Sequence, residues 1–244
     1  MIDLHSHVLP ALDDGARDLD GSREILRAAR EDGITHIAAT PHVRDDHPTT
    51  PAQMEAALAR VRELDEGVEV LGGGELDIRF AQSLTDDDLR RFGLGGNSRL
   101  LLLEAPFSGW PLALRDALFD FALRGYTLVL AHPERNAEVQ DRPELLDPIV
   151  ESGVYVQLTA ASVDGRLGKR PARSARTLLE RGHAHLIASD AHAPSIRAIG
   201  MTAAAEAVGD ETLAAWLTRD VPWALVAGER PPERPQRRRR RKLF

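Results

Sequence analysis

Cysteine is absent from the 244-residue chain. That absence excludes disulfides, thiolate nucleophiles and thiolate metal ligands, so any metal must be held by nitrogen and oxygen. Aromatic residues are scarce, at 5%, against 43% apolar residues, so the expected core is aliphatic, dominated by Ala and Leu. The first residues show no basic segment followed by an apolar one, and no run approaches the length of a membrane span. The chain is read as cytoplasmic, with no transmembrane segment. The net charge of -7 is uneven, because Glu229 to Phe244 carries eight Lys/Arg against two Glu, which leaves about -13 on the rest. So acidic a body argues against specific nucleic-acid binding over the main domain. Bound cations would offset part of that acidity.

What the sequence does have begins at Asp3-Leu4-His5-Ser6-His7, followed by Pro10 and then Asp13-Asp14-Gly15. Met1 to Leu4 reads as a buried strand. Side chains alternate along a strand, so His5 and His7 point the same way. Six further strands are expected at Ile34 to Ala39, Val68 to Leu71, Arg99 to Leu103, Tyr126 to Leu130, Val154 to Leu158 and Ala184 to Ala188. Helices are expected between them: one after the Asp18 to Ser22 caps up to Gly33, then Pro51 to Glu66, Pro111 to Arg124, Glu144 to Ser152 and Ala172 to Arg181. Ser195 to Val208, Glu211 to Thr218 and a turn at Val221 to Ala227 follow. Strands alternating with helices imply a parallel α/β sheet.

Polar residues decide its architecture. A doubly wound sheet would gather them at one switch point. Here they follow strands one, two, three, four, five and seven, which calls for a barrel with its site at the C-terminal mouth. The candidate metal ligands are His5, His7, Asp14, His42, Glu75, Glu104, His132, Asp190 and His192. One divalent ion takes four to six ligands including water, so this set suggests two or three ions sharing carboxylates. Glu104 is informative alone, since a buried carboxylate after the apolar strand Leu100 to Leu103 needs a partner or a metal. Other readings exist residue by residue: Asp190 as a helix N-cap, His132 as a turn residue, Glu75 on a surface loop. His36, His183 and His185 read as structural or exposed. His47, in a loop near the mouth, could meet substrate or act as a general acid.

Taken together, these stretches resemble the polymerase-and-histidinol-phosphatase (PHP) superfamily of metal-dependent phosphoesterases. They are similar above all to the bacterial manganese-dependent protein-tyrosine phosphatases of capsule and exopolysaccharide loci. The resemblance rests on Ile2 to Pro10 with Asp13-Asp14-Gly15, on Ala39-Thr40-Pro41-His42, and on Gly74-Glu75 and Leu103-Glu104. It continues in Ala131-His132-Pro133-Glu134-Arg135, Gly165-Arg166-Leu167-Gly168-Lys169 and Ile187 to His192. It implies a distorted (β/α)7 TIM-like barrel over residues 1–228 carrying a trinuclear site. His5, His7, Glu75 and Asp190 would hold one ion, and Asp14, His42 and His192 a second. Glu75, Glu104 and His132 would hold the third. Mn2+ is the expected metal, with Fe or Zn as alternatives. Carboxylates at Asp14 and Glu104, where other branches often have His, favour the tyrosine-phosphatase branch.

The expected reaction is in-line attack on phosphotyrosine by a metal-bound hydroxide. Arg135 would grip substrate phosphate through its planar fork; a surface ion pair with Glu134 or Glu138 is its alternative role. No covalent phosphoenzyme is expected. The resemblance points to the tail of a bacterial tyrosine autokinase as substrate, with capsule or exopolysaccharide synthesis as the process regulated. A small phosphomonoester such as histidinol phosphate, a nuclease module and a non-catalytic domain are the competing readings. Residues 229–244 read as a basic, disordered tail able to make weak electrostatic contact with acidic partners or a membrane surface.

Overall fold

In chain order the strands are β1 (Ile2–Ser6), β2 (His36–Ala39), β3 (His42–Arg44), β4 (His47–Pro48), β5 (Glu69–Leu71), β6 (Glu75–Asp77), β7 (Leu100–Glu104), β8 (Thr127–Ala131), β9 (Tyr155–Thr159) and β10 (Leu186–Ala188). The computed structural model describes residues 1–192 and 198–236. Seven strands were expected. The additional ones have local causes. Thr40-Pro41 interrupts the second expected strand, since proline has no N–H for the ladder, and β3 resumes after it. Gly72-Gly73-Gly74 interrupts the third for a different reason, since glycines keep their N–H but weaken a strand by their backbone freedom, and β6 resumes. β4 is a short antiparallel return on β3.

β1 pairs in parallel with β2, and β2 with β5. The second sheet runs β10-β9-β8-β7-β6-β3-β4, and all its ladders except β3–β4 are parallel. Because β3 continues β2 and β6 continues β5, the two sheets form one curved wall. At the β10–β1 seam a single bridge joins Ser6 and Ala191. Beside it the His7 N–H donates to the Ala191 carbonyl and the Asp190 N–H to the His5 carbonyl, each at 2.8 Å. The α/β architecture is therefore a parallel, barrel-like wall, distorted where that seam holds a bridge and no continuous ladder.

Its interior is aliphatic, as expected: Leu4, Ile37, Leu76, Leu101, Leu103 and Val129 are all fully buried. The outer helices follow their sequence signals. Asp18 caps Leu19–Glu31 by accepting from the Gly21 N–H at 2.9 Å. Thr50 and Gln53 form a capping box on Pro51–Arg62. That helix stops short of Glu66, and Leu114–Leu123 starts later than Pro111. Lys169–Arg181 starts earlier than Ala172 and ends on Gly182 in the left-handed region. The segment expected to be one helix over Glu144 to Ser152 is a 3-10 turn, Pro143–Leu146, followed by Asp147–Glu151; Pro148 sits in the first turn, where its missing N–H is tolerated. After Glu211–Ala215 the chain widens into a π-turn at Trp216–Asp220 before Val221–Ala227. Pro222 cannot supply the N–H that would bond the Thr218 carbonyl in an α-helix. Of the helix expected from Ser195, Met201–Val208 is present, and residues 193–197 lie outside the described residues.

The segment expected as a disordered tail needs correction at its start. The Trp216 indole N–H donates to the Pro232 carbonyl at 2.9 Å. Arg234 donates to the Leu179 and Ala184 carbonyls at 2.7 and 3.1 Å. The cation thus ties the segment to one carbonyl in the last turn of the Lys169–Arg181 helix and to one in the stretch between that helix and β10. Arg237 to Phe244 lie outside the described residues. Among the described residues, no helix is long and apolar enough to cross a membrane.

Candidate metal centre

His5 lies near the end of β1 and His7 just beyond it, pointing the same way, and the register sets their neighbours. His42 lies directly opposite Glu75 on β3 and β6. Glu104 ends β7 opposite Asp77 and Ala131, and His132 follows β8. Asp190 and His192 follow β10. All nine residues expected as ligands meet in one connected cluster, and all but Asp14 are buried. Asp14, from the turn after β1, leans over it, with Oδ1 3.4 Å from His42 Nε2 and 3.2 Å from His192 Nε2.

Hydrogen bonding fixes the imidazole tautomers. The His132 N–H donates to Gln157 Oε1 at 3.2 Å, so that amide atom is the oxygen. His5 Nδ1, 3.1 Å from the same oxygen, must therefore donate its proton there. His7 Nδ1 donates to Asp13 Oδ2 at 2.7 Å. Asp13 is held in turn by the His42 and Gly15 N–H groups, each at 2.9 Å. With both Nδ1 protons committed, the Nε2 atoms of His5 and His7 turn inward and face each other at 3.2 Å. Burial lowers the pKa of both rings, but Glu75 at His5 and Asp13 at His7 outweigh it and raise both, so positive charge, a proton or a metal ion, is favoured between these buried nitrogens. Glu75 Oε2 lies 3.3 Å from each of those Nε2 atoms and 2.8 Å from His42 Nδ1, yet makes no hydrogen bond. Glu104 Oε1 is likewise buried and unbonded. Asp190 Oδ1 completes the group, 3.5 Å from His7 Nε2 and 3.7 Å from His5 Nε2.

The donor set fits divalent ions. Ligand atoms gather in three overlapping groups: His5, His7 and Glu75; His7, Asp14, His42 and His192; His42, Glu75 and Glu104. His132 Nε2 also reaches the last group, 2.8 Å from Glu75 Oε1 and 3.8 Å from Glu104 Oε1. Electrostatically the cluster calls for positive charge. Burial lowers the His42 pKa, but Glu75 and Asp14 outweigh it and hold the imidazole at about 9. Burial, and then the charge of Glu75, push Glu104 up to about 7. His132 falls to about 4, chiefly through burial, which leaves it a neutral ligand.

Two of these residues hold unusual backbone. His132 and Asp190 have φ of 32° and 52°, a region side chains seldom adopt and one that concentrates at functional sites. Gly15 permits another close approach, since a Cβ there would sit 2.2 Å from the His7 carbonyl oxygen.

Arg135, in the turn after His132, ion-pairs with Asp190 across 2.5 Å, and not with Glu134 or Glu138. Its guanidinium also lies 4.5 Å from the Phe107 ring centroid. His47 stands in β4, its ring 5.9 Å from that of His42. Both serines nearby are engaged: Ser6 Oγ donates to the Ala38 carbonyl at 2.8 Å and Ser189 Oγ to the His5 carbonyl at 3.2 Å. Asp13, Gln157, Arg44 and Phe107 were not singled out from the sequence. Gln157 had a signal, as a polar residue inside the buried strand Tyr155–Thr159. Arg44, 3.5 Å from Glu104 Oε2, had none.

Residues 1–217 match the family described as capsular polysaccharide synthesis, CpsB/CapC. The chain belongs to that family. It is 39% identical to the tyrosine-protein phosphatase YwqE of Bacillus subtilis over 198 residues, which is 79% of this chain and 77% of YwqE. It is 27% identical to the tyrosine-protein phosphatase CpsB of Streptococcus pneumoniae over 79% of this chain and 83% of CpsB. A chain from the crystal structures of YwqE from B. subtilis and CpsB from S. pneumoniae, described there as unique metal-dependent tyrosine phosphatases, superposes with a TM-score of 0.85. That match has 34% identity and covers 98% of this chain and 100% of the other.

Proposed function

We propose that this chain is a metal-dependent protein-tyrosine phosphatase that hydrolyses phosphotyrosine on a cytoplasmic protein. The substrate on this reading is the tail of a bacterial tyrosine autokinase that regulates capsule or exopolysaccharide synthesis. The observation that carries it is the pair of inward-facing Nε2 atoms of His5 and His7, 3.2 Å apart, beside the buried Glu75 carboxylate. The family and its tyrosine-phosphatase members support it. His5, His7, Glu75 and Asp190 would hold one ion, Asp14, His42 and His192 a second, and Glu75, Glu104 and His132 a third. Mn2+ suits so carboxylate-rich a set. Such ions, when bound, supply Lewis acidity and make water ionisable near neutral pH.

The chain's own residues do the rest. Arg135 presents a planar fork to a phosphate oxygen pair, and its bond to Asp190 fixes that fork. Arg44, beside Glu104, adds positive charge on another side of the mouth. Gln157 and Asp13 hold the His5 and His7 rings in the tautomer that turns Nε2 inward. Ser6 and Ser189 stay out of the chemistry, because their hydroxyls serve the backbone. A phenolate leaves with a pKa near 10, so little protonation is needed as the ester bond breaks; His47 is the residue placed to supply a proton.

The test sets a phosphotyrosyl peptide against histidinol phosphate under the same metal. The peptide is expected to be the better substrate by at least about tenfold in kcat/KM. A preference for histidinol phosphate would replace this reading with a small-molecule phosphatase.

A further inference from the structure

Large apolar side chains exposed among the described residues are Phe107, Leu112, Phe119, Leu123 and Trp223. Of these, Phe107 touches the site. Its ring is 42% exposed. One neighbour is the Arg135 guanidinium, 4.5 Å from the ring centroid. Another is the His132 imidazole, stacked at 5.5 Å between centroids with 24° between planes. Phe107 is thus a partly open aromatic surface beside the arginine that the functional reading assigns to the phosphate.

The loop that carries it is fastened. The Ala137 N–H donates to the Phe107 carbonyl at 3.0 Å. Asn136 Nδ2 donates to the Pro106 carbonyl at 2.7 Å, and the Gly109 N–H donates to Glu138 Oε1 at 3.0 Å. Asn136 and Ala137 directly follow Arg135, so the phosphate-gripping fork and the aromatic ring are set by one short stretch of chain. What sets Phe107 apart from the other exposed apolar side chains is this placement beside Arg135 and His132, not its exposure.

We propose that Phe107 is a specificity-determining residue of this site, stacking against the aromatic ring of an aryl phosphate ester while Arg135 holds its phosphate. The inference rests on the phosphatase reading above. Aromatic rings attract beyond simple burial when their centroids lie within about 4.5–7 Å. A phosphoserine or alkyl phosphate has no ring to place there, so Phe107 would favour aryl esters selectively.

The experiment compares kcat/KM for a phosphotyrosyl peptide, phenyl phosphate and β-glycerol phosphate in Mn2+-loaded wild type, Phe107→Ala and Phe107→Tyr. Phe107→Ala is expected to lose about tenfold on both aryl substrates, mainly through KM, and to stay within about twofold on β-glycerol phosphate. Phe107→Tyr, which keeps the ring, is expected to restore most of the aryl activity. An equal loss on all three substrates would make Phe107 a positioning residue for Arg135 and overturn the inference. So would no loss on the aryl esters. Absence of phosphatase activity in wild type would instead overturn the functional reading itself.

Discussion

His7 Nδ1 donates to Asp13 Oδ2 at 2.7 Å, and Asp13 in turn accepts the backbone N–H of His42 at 2.9 Å. One carboxylate therefore orients a ligand on β1 and the chain that brings another from β3. Burial raises the Asp13 pKa, but the His7 imidazole outweighs it and holds the carboxyl well below its usual range. Asp13→Asn keeps an acceptor for Gly15 but weakens the grip on the His7 proton. Metal affinity measured by titration calorimetry is expected to fall about 10- to 100-fold with the fold intact. Unchanged affinity would remove Asp13 from this role.

Asp190 faces His5 and His7 with one oxygen and Arg135 with the other. Asp190→Asn removes a charge with little change of shape. Turnover is expected to fall by orders of magnitude and one metal to weaken, while circular dichroism stays that of wild type. Near-normal turnover with normal metal content would return Asp190 to a capping role.

His185 provides a pH test away from the centre. Its Nδ1 accepts the Val156 N–H at 3.0 Å, and burial, then Arg234, lower its pKa to about 4. The folded state thus prefers the neutral imidazole, whereas the unfolded chain titrates near pH 6.5. The stability this contributes is complete above about pH 6.5 and is lost as pH falls towards about 4. In His185→Gln, the fall of Tm across that window is expected to be shallower than in wild type. Equal slopes would contradict the assignment.

Arg234 ties the segment after the last helix to the Leu179 and Ala184 carbonyls. Arg234→Ala is expected to cost about 1–2 kcal/mol, or a few degrees of Tm, and to leave turnover unchanged. Truncation before Arg237 is expected to leave both unchanged on a small substrate. A large loss of stability from that truncation would show that Arg237 to Phe244 also pack on the barrel.

These residues also show what the sequence could and could not reveal. The ligands were legible because chemistry at strand ends is periodic and visible: His5 and His7 two apart, Glu104 closing an apolar run, Asp190 and His192 after the last strand. Asp13 was hidden beside Asp14, since neighbouring carboxylates in a turn look alike until the turn's direction is known. Arg44 lay hidden because an arginine closing a short strand is most often a solvated surface residue. The breaks at Thr40-Pro41 and Gly72-Gly74 were readable as breaks, but that pairing resumes beyond them depends on tertiary register. Arg234 belonged to a stretch whose composition reads as disorder; only the Leu179 and Ala184 carbonyls, distant in sequence, give it a place.

The central claim is that the buried His, Asp and Glu cluster holds the ions on which phosphotyrosine hydrolysis depends. The most direct measurement strips the protein with chelator, reloads it with Mn2+ in steps, and follows bound metal by elemental analysis alongside hydrolysis of a phosphotyrosyl peptide. The account expects stripped protein to be essentially inactive. Activity should rise with loading to two or three ions per chain and survive thiol-alkylating reagents, since the chain has no cysteine. Full activity in the stripped protein, or saturation at one ion or fewer, would contradict it.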